Sequence, residues 1–348
     1  MDRKLYHRIN PGCRLPLYVA ERGGDPSLIN EYLGQNLPLA EQRIGYFPGQ
    51  NICCAYEHAA DILDDPYLGL KFGLIERDDF ANTGPMVFLL NNAIDIRQAV
   101  DMGIRYQALH TNGIHYAYEE DIENKVLTGV FTFHPTSGAH RQLLEHIMTL
   151  IAVMGRTFIP DFEIKQVTFQ HRAPENLTWY KKAFQAPAFF NAPRNTMLFD
   201  LKFLNMKRGS LINSAIQHSL ELYMRRKLKH HPYANKTVKD MVWEVLPALV
   251  GVNKTDKATV ANSLGMHPKK LQRLLRDEGT SYKDILDDVR KLQAIRLLTD
   301  SDMNIENIAK VLDYSSARPF NHACKRWFGM GSRDYRESNS QSNNILMD

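Results

Sequence analysis

Hydrophobic and polar positions follow two different periods over roughly the first 200 residues. Ile114, Tyr116 and Tyr118 alternate with small or polar neighbours, and residues 126–133 continue in a strand-like pattern after a polar turn. This period of two predicts an antiparallel hairpin. Residues 143–154 instead place apolar side chains at helical spacing over a broad face, which predicts a buried helix. We therefore expect a mixed α/β domain at the front of the chain.

A different pattern occurs twice between residues 256 and 336. A short helix carries a β-branched residue, Ala and Leu at i, i+1 and i+4, and a tight turn and a second helix with basic outer positions follow it. The three positions are Val260, Ala261 and Leu264 in the first copy, and Ile308, Ala309 and Leu312 in the second. This order predicts two helix-turn-helix units, in which the small Ala lets two helices cross closely. The second helix of each unit is then presented to a DNA major groove.

The two copies differ in length by one residue in the turn, because their offset is 48 residues up to Tyr314 and 49 from Phe320 onward. Between the copies, a capping box at residues 281–284 starts a run of apolar positions at helical spacing. About 18 residues of helix span ~27 Å, enough to separate two reading helices by about one turn of DNA. Both units are therefore expected to read one face of a duplex.

Breaks in these patterns give the domain boundaries. An apolar helical stripe over residues 210–229 ends before Pro232, which cannot continue a helix. We expect a sensor domain over 1–205, a helical linker over 206–236, a double helix-turn-helix domain over 237–336 and a disordered polar tail over 337–348. The predicted fold class is α+β, with a mixed α/β domain followed by an all-α domain of two helix-turn-helix units joined by a long helix.

The first reading helix is predicted to begin near Pro268, because the first turn of a helix does not need the missing N–H of proline. The side chains that this helix offers to DNA are Lys269, Lys270, Gln272, Arg273 and Arg276. Arg can bond bidentately to guanine and Gln to adenine, whereas Lys269 and Arg276 can reach phosphates. A solvated basic face is the alternative explanation, and the repeat favours DNA contact over it.

The corresponding helix of the second copy offers five candidate DNA contacts of its own. They are Ser316, Arg318, Asn321, His322 and Lys325. His322 occupies the position of Arg273, and a neutral imidazole has one donor where a guanidinium has a fork of donors. We hypothesise that the first unit supplies most base specificity and the second mainly anchors phosphates.

Charge supports this assignment more than composition does. The net charge is +4, and residues 231–336 hold 18 Lys and Arg against 13 Asp and Glu, so the positive excess lies at the repeat-bearing end. The chain begins without a signal-peptide pattern and has no run of ~20 apolar residues. Four cysteines without framework spacing suit a reducing cytoplasm. We therefore expect a cytoplasmic protein with no membrane contact.

Other clusters give weaker signals. The histidines at 110, 115, 134, 140 and 146 are crowded, but they lack the spacing that holds a metal, so we expect neither a metal nor a cofactor. Arg141, Glu145 and Arg156 could face a pocket, although an i,i+4 ion pair explains the first two as well. Aromatic residues at 179–190 could line an effector cavity, and core packing is the alternative. Which residues bind an effector stays open.

Residues 256–336 resemble the C-terminal domain of the AraC/XylS family of bacterial transcription regulators. The matching residues are Leu264-Gly265-Met266, Leu271-Gln272-Arg273, Ile308-Ala309, Phe320, Lys325-Arg326-Trp327-Phe328-Gly329 and Tyr335-Arg336. The second unit departs from the family pattern at five places, which puts its share of DNA binding in question. The family usually has Gly at Asp313, Phe at Tyr314, Arg at His322, Phe at Cys324 and Ser-Pro at Gly331-Ser332.

The front of the chain resembles, more weakly, the arabinose-binding-type sensor domain of one branch of that family. Residues 73–75, 167–174 and 189–192 carry this resemblance, and the name implies no sugar here. The resemblance implies a sequence-specific DNA-binding regulator, controlled by a small-molecule effector and acting as an activator through RNA polymerase; repression is equally compatible with these residues. It also implies a homodimer, with the helix at 210–229 as a candidate contact, and binding as a monomer stays open because each chain already carries two reading helices.

Two alternatives stay open beside this interpretation. An alkyl-transfer DNA repair enzyme fused to this DNA-binding plan would need an activated Cys and a Cys-rich zinc site, and Cys13, Cys53 and Cys54 lack that spacing. We therefore expect no enzymatic activity. A DNA-architectural protein without an effector would bind duplexes with steep salt dependence and little regard for sequence.

Overall fold

The computed structural model describes most of the chain in stretches separated by gaps. The described residues are 6–9, 14–33, 45–75, 93–109, 111, 113–133, 140–206, 214–229, 237–251 and 255–344. Contacts between α-carbons divide the chain into two compact units. The front unit is Met1–Val167, Glu175–Ala188 and Thr196–Asn235, and the rear unit is Thr168–Pro174, Phe189–Asn195 and Lys236–Asp348. Two stretches with a sequence prediction lie outside the described residues. They are the apolar run at residues 87–90 and residues 230–236, which are part of the predicted linker.

The strands come from stretches rich in β-branched and aromatic residues. They are β1 (Tyr6–Ile9), β2 (Gly45–Pro48), β3 (Ile114–Asp121), β4 (Val126–Phe133), β5 (Ile164–Thr168), β6 (Ala188–Phe189) and β7 (Asn195–Asp200). Strands β1 and β2 pair antiparallel, and β3 to β7 form a sheet in the order β3-β4-β7-β5-β6. The mixed α/β domain predicted at the front of the chain is confirmed.

The predicted hairpin is the pair β3 and β4. The strands run antiparallel, with Ile114 opposite Phe133 and Tyr118 opposite Gly129. On β4, Leu127, Phe131 and Phe133 lie on one face of the strand, and all three are buried. The alternating pattern therefore set both the pairing and the buried face, as expected when one face of a hairpin packs on a core.

Helices cover much of the remaining front part of the chain. They are α1 (Leu15–Ala20), α2 (Ser27–Tyr32), α3 (Gly49–Ile62), α4 (Leu68–Ile75), α5 (Ile96–Tyr106), α6 (Arg141–Phe158), α7 (Thr178–Phe184) and α8 (Ser214–Lys229). Helix α6 is the predicted buried helix, and Leu144, Met148 and Ala152 on it are fully or almost fully buried. Helix α2 has no side-chain cap at Pro26, the residue before it, and Asp25 Oδ1 accepts a 2.9 Å hydrogen bond from the Ser27 N–H.

Helix α4 lies very close to α6 because it presents glycines at the contact. A Cβ at Gly69 would lie 2.1 Å from the Gln142 carbonyl oxygen, and one at Gly73 would lie 2.8 Å from Cβ of Thr149. The Gln142 side chain closes this contact by accepting a 2.8 Å hydrogen bond from the Gly69 N–H. A side chain at either glycine would force the two helices apart.

The charged residues Arg141, Glu145 and Arg156 of α6 have polar partners inside the front unit. Arg141 Nε lies 2.8 Å from Glu145 Oε1, and Glu145 is fully buried and also accepts a hydrogen bond from the Tyr180 hydroxyl. The i,i+4 ion pair, which was the alternative to a pocket-facing role, therefore explains the positions of the Arg141 and Glu145 side chains. Arg156 donates to the carbonyls of Phe184 and Ala183, where α7 ends.

The rear unit is built mainly from helices. They are α9 (Val238–Leu249), α10 (Lys257–Ser263), α11 (Pro268–Asp277), α12 (Tyr282–Thr299), α13 (Ile305–Val311), α14 (Ala317–Phe328) and α15 (Ser332–Asn344). The repeated apolar positions form its core, and the fully or almost fully buried ones are Val260, Ala261, Leu271, Leu275, Ile308, Ala309, Phe320 and Cys324. Among the described residues, none of the helices has both the length and the apolar character that a membrane crossing requires.

Helix α15 differs from the expectation of a disordered tail from residue 337. It continues through Asn344, and the Asn339 side chain donates a 2.8 Å hydrogen bond to the Tyr335 carbonyl oxygen. The polar composition of this segment does not reveal the helix, because its first turns are anchored in the rear core by Tyr335 and Arg336. Tyr335 stacks on Phe328 at 4.2 Å, and Arg336 Nη2 donates to the Met303 carbonyl at 2.7 Å.

Two short segments from the middle of the sequence belong to the rear unit. The Arg172 N–H donates to the Asp300 carbonyl at 3.1 Å, and Arg172 Nε lies 2.8 Å from Asp302 Oδ1. The Asp302 N–H donates to Asn191 Oδ1 at 2.9 Å. Both segments therefore pack on the turn between α12 and α13.

Candidate nucleic-acid interface

The two turns between paired helices have the same hydrogen-bond pattern. In the first, the Met266 N–H donates to the Ala261 carbonyl at 2.8 Å, and in the second the Tyr314 N–H donates to Ala309 at 2.8 Å. Each turn contains one residue with a left-handed backbone, Gly265 at φ 64° and Asp313 at φ 57°. This is the usual left-handed end of a helix. The turns have four residues (264–267) and five (312–316), which confirms the predicted extra residue.

Asp313 stands at the left-handed position where its counterpart is glycine. Its carboxylate accepts a 2.8 Å hydrogen bond from the Thr255 hydroxyl. Its carbonyl accepts a 3.2 Å hydrogen bond from Arg290, whose guanidinium also lies 4.9 Å from the centre of the Tyr314 ring. Thr255 and Arg290 therefore stabilise the left-handed backbone at this position, where the second turn lacks a glycine.

The first reading helix is α11, and it begins at the predicted residue. Pro268 is its first residue, and the His267 side chain caps it by accepting a hydrogen bond from the Lys269 N–H at 3.2 Å. Leu271 and Leu275 are fully buried, whereas Leu274 is half-buried. All five candidate contacts of this helix are exposed: Lys269, Lys270, Gln272, Arg273 and Arg276.

Two basic side chains of the rear unit outside α11 are neutralised by carboxylates. Arg326 pairs with Asp287, and Arg172 pairs with Asp302. Within the described part of the chain, Arg273 and Arg276 make no ion pair with any carboxylate. Gln272 is held from the side by Lys257, whose Nζ lies 2.8 Å from Gln272 Oε1. The exposed face of α11 thus carries positive charge that the rear unit does not neutralise, and phosphates can take it up.

The second reading helix is α14, and its candidate contacts are less uniform. Arg318, His322 and Lys325 are exposed, and Ser316 is half-buried at the residue before the helix. Asn321 is also half-buried, and its Oδ1 accepts hydrogen bonds from the Ser332 N–H at 2.9 Å and hydroxyl at 3.2 Å. The Asn321 side chain is thus committed to the start of α15, and of the five predicted contacts it fits a DNA-reading role least.

Helix α12 joins the two helix-turn-helix units and is 18 residues long, as predicted. Ser281 caps it by accepting a hydrogen bond from the Asp284 N–H at 3.2 Å. Its Asp287 side chain receives the Trp327 indole N–H at 2.8 Å and the Arg326 guanidinium. Sequence reasoning did not assign a role to Asp287 or Arg290, which hold α14 and its turn on α12. Their spacing of three residues on one helix face is the signal that was available.

The described residues contain no group of three His, Cys, Asp or Glu side chains placed to hold a metal ion. Of the crowded histidines, His115 and His146 are buried and His140 is half-buried, while His110 and His134 lie outside the described residues. His146 stacks on Phe72 with ring centres 5.0 Å apart, so it is part of the core of the front unit.

Two helix-turn-helix units on one connecting helix, each with an exposed polar reading helix, define a helix-turn-helix DNA-binding protein. Comparison with known proteins gives the same class. Residues 33–207 match the family model described as the arabinose-binding domain of AraC transcription regulators, N-terminal, and residues 260–338 match a helix-turn-helix domain model. The chain belongs to the AraC family of transcription regulators.

The chain is similar to several individual proteins. The chain is 34% identical to the HTH-type transcriptional regulator VirS of Mycobacterium tuberculosis over 282 residues, which cover 80% of this chain and 81% of VirS. It is 23% identical to the ornithine utilization regulator of Pseudomonas aeruginosa over 284 residues, covering 80% and 81% of the two chains. The crystal structure of the transcriptional regulator CdpR from Pseudomonas aeruginosa covers 89% of this chain and 97% of its own, with 20% identity and a TM-score of 0.39.

Proposed function

We propose that this DNA-binding transcription regulator is a sequence-specific activator that contacts RNA polymerase and is controlled by a small-molecule effector. The observation that carries the DNA-reading part is the exposed face of α11. On that face the side chains of Arg273 and Arg276 have no carboxylate partner among the described residues. An unneutralised basic face on the second helix of a helix-turn-helix unit is what base and phosphate contact requires.

The proposal assigns different tasks to the two reading helices. Arg273 reads a base, because a guanidinium can bond bidentately to guanine O6 and N7. On α14, Lys325 and Arg318 anchor phosphates, and His322 contributes less because one imidazole donor replaces a fork. Gln272, Lys269, Lys270, Arg276 and Ser316 complete the proposed contact set, and Asn321 contributes through its amide nitrogen only.

Family membership and the sequence patterns support the remaining parts of the proposal. They comprise a sensor domain over 1–205, a linker over 206–236, a double helix-turn-helix domain over 237–336, a homodimer, a cytoplasmic location and no catalytic step. Activation through RNA polymerase is tested by transcription in vitro from a promoter bearing the recognised site.

Sequence-specific reading is tested on sites selected from a random-sequence duplex library by the full-length protein. The Arg273→Ala variant is expected to lose roughly ten- to hundredfold in affinity for the selected site, because one bidentate base contact is worth ~1–3 kcal/mol. His322→Ala is expected to lose less than Arg273→Ala. A larger loss for His322→Ala contradicts the assigned tasks.

Lys239→Ala is the matched control for charge removal in the rear unit. Lys239 is exposed, and its N–H donates to Glu278 Oε2 at 2.8 Å. Glu278 follows the last residue of α11, at the end of the helix opposite to its first, DNA-facing turn. This control is expected to keep its affinity within about twofold. If the wild-type protein binds selected and random duplexes within about tenfold of each other, the architectural alternative is correct.

A further inference from the structure

The front unit contains a cavity of about 510 Å³. Small-molecule sites usually have volumes of ~300–1,000 Å³ and combine an apolar lining with a few polar groups. The cavity fits both criteria, because Leu63, Leu74 and Ile75 supply apolar surface beside charged and aromatic side chains. Its lining residues come from four parts of the front unit. These are α1 with the turn after it, the segment that follows α3, helix α4, and helix α7.

Two cations and one carboxylate line this cavity. Lys71 Nζ lies 2.7 Å from Asp65 Oδ2, so one positive charge is compensated within the wall. Among the residues that the structure describes, Arg22 has no such partner in the wall. Its carboxylate neighbour is Glu21, 4.0 Å away, 57% exposed and outside the lining. An ion pair of this length in water contributes little, so the described lining keeps one uncompensated positive charge.

The cationic groups are held in place by aromatic rings. The Arg22 guanidinium lies 3.5 Å from the centre of the Tyr18 ring, and Tyr18 is itself fixed by an edge contact with Phe72 at 5.0 Å. Lys71 Nζ lies 5.0 Å from the centre of the Trp179 ring. Cation–π contacts of this kind orient a charge without neutralising it. The Tyr18 hydroxyl stays protonated because burial raises its pKa, so it can donate a hydrogen bond.

We propose that this cavity binds a small molecule with a single negative charge, such as a carboxylate, on an apolar body. Arg22 and Lys71 bind the anionic group, and the Trp179 ring and the aliphatic side chains cover the apolar body. A cationic ligand would meet an excess of positive charge in the wall. That the bound molecule is the effector rests on the proposed function above, whereas the binding itself does not.

Binding is tested on the full-length protein with two fluorescent probes of the same ring system. The anionic probe is 1-anilinonaphthalene-8-sulfonate, and the neutral probe is N-phenyl-1-naphthylamine, which lacks the sulfonate. The wild-type protein is expected to bind the anionic probe saturably at one site. Arg22→Gln is expected to raise the Kd of the anionic probe about fivefold or more and to leave the Kd of the neutral probe within about twofold.

Asp65→Asn gives a prediction of opposite sign. It removes the carboxylate that competes for Lys71, so the anionic probe is expected to bind about threefold or more tightly. The asparagine oxygen can still accept the 3.1 Å hydrogen bond from the Tyr67 N–H, which keeps the local backbone in place. Arg22→Lys retains the charge and is expected to restore most of the affinity lost in Arg22→Gln.

Lys182→Gln is the matched control, because Lys182 lies 4.3 Å from the centre of the Trp179 ring but does not line the cavity. It is expected to change neither Kd by more than about twofold. The proposal is overturned if Arg22→Gln shifts both probes equally, if Lys182→Gln has the same effect as Arg22→Gln, or if Asp65→Asn weakens the anionic probe. Melting curves of each variant show whether the front unit is intact.

The two proposals fail separately in this design. Arg22→Gln is expected to bind the selected DNA site as the wild-type protein does when no small molecule is present. Arg273→Ala is expected to bind the anionic probe as the wild-type protein does. Loss of probe discrimination with intact DNA binding overturns the cavity proposal alone. Loss of DNA specificity with intact probe binding overturns the proposed function alone.

Discussion

At the scale of single residues, the second helix-turn-helix unit departs from its copy most clearly at Asp313. Gly265 takes a left-handed backbone in the first turn without strain, because it has no Cβ. Asp313 takes the same conformation at φ 57°, which L side chains adopt rarely, although Asp tolerates it better than most. The hydrogen bond from Thr255 to its carboxylate offsets part of this cost.

Substitution at Asp313 separates backbone strain from the hydrogen bond. Asp313→Ala keeps the left-handed strain and removes the bond, so the free energy of unfolding is expected to fall by about 1–2 kcal/mol. Asp313→Gly removes both and adds freedom to the unfolded chain, so a change of less than about 1 kcal/mol is expected. Urea unfolding followed by tryptophan fluorescence measures both variants.

Asp313→Asn is the control, because asparagine tolerates the left-handed region and keeps an oxygen acceptor. It is expected to be as stable as the wild-type protein within about 0.5 kcal/mol. An Asp313→Ala variant that equals or exceeds Asp313→Gly in stability would show that the left-handed backbone carries no cost here.

Single residues also show which features of the candidate site can be predicted from the sequence and which cannot. The start of α11 at Pro268 could be predicted, because the ring of proline and the spacing of Leu271 and Leu275 act locally. The commitment of Asn321 could not, because its partner Ser332 lies 11 residues further on, in another helix. Helical spacing predicts which side of α14 Asn321 faces. Only the packed structure shows that α15 begins against it.

At the scale of elements, helix α6 packs on α3 and α4 with charged groups inside the contact. Glu57 on α3 is half-buried, and its Oε1 accepts the Gln142 N–H at 2.8 Å. Burial raises the Glu57 pKa to about 7, and the neighbouring Glu145 carboxylate adds to the rise. Between its unfolded pKa near 4.5 and its folded pKa near 7, the folded protein therefore holds a proton that the unfolded chain has released.

This difference predicts how the stability of the front unit depends on pH. Because the folded state binds the extra proton, the contribution of Glu57 to the free energy of unfolding is largest below pH 4.5. This contribution falls as the pH rises through about 7. Glu57→Gln is expected to remove about 2 kcal/mol of that fall between pH 5 and pH 8. Thermal or urea unfolding at a series of pH values measures the slope.

Glu123→Gln is the control, because Glu123 is exposed in the turn between β3 and β4. It is expected to leave the pH dependence of the wild-type protein unchanged. A Glu57→Gln variant with the wild-type slope between pH 5 and pH 8 would show that the Glu57 carboxyl is ionised in the folded protein.

Elements were predicted from the sequence where their signal is periodic. The hairpin β3–β4, the helix α6 and the connecting helix α12 all follow from spacing alone. The close contact of α4 with α6 could not be predicted from spacing, because it depends on Gly69 and Gly73 facing Gln142 and Thr149 across the fold. The helix α15 could not be predicted either, because its residues are polar and its start is anchored by the core of the rear unit.

At the scale of the whole molecule, the central claim is that α12 holds two reading helices for one duplex. Helix α12 has 18 residues, and at 1.5 Å per residue it spans ~27 Å, close to one turn of DNA. Its Asp287 and Arg290 side chains fix α14 and the preceding turn to it. We therefore expect the rear unit to set the spacing of the two contacted segments before DNA is bound.

The most direct measurement is the affinity of the full-length protein for two duplexes that differ only in spacing. One carries the selected site, and the other carries the same site with five base pairs inserted between the two contacted segments, which turns them to opposite faces of the DNA. We predict that the insertion lowers the affinity about 30-fold or more, because one reading helix loses its segment. An affinity within about threefold of the original would contradict the account, because the two helices would then not be reading one face of a duplex together.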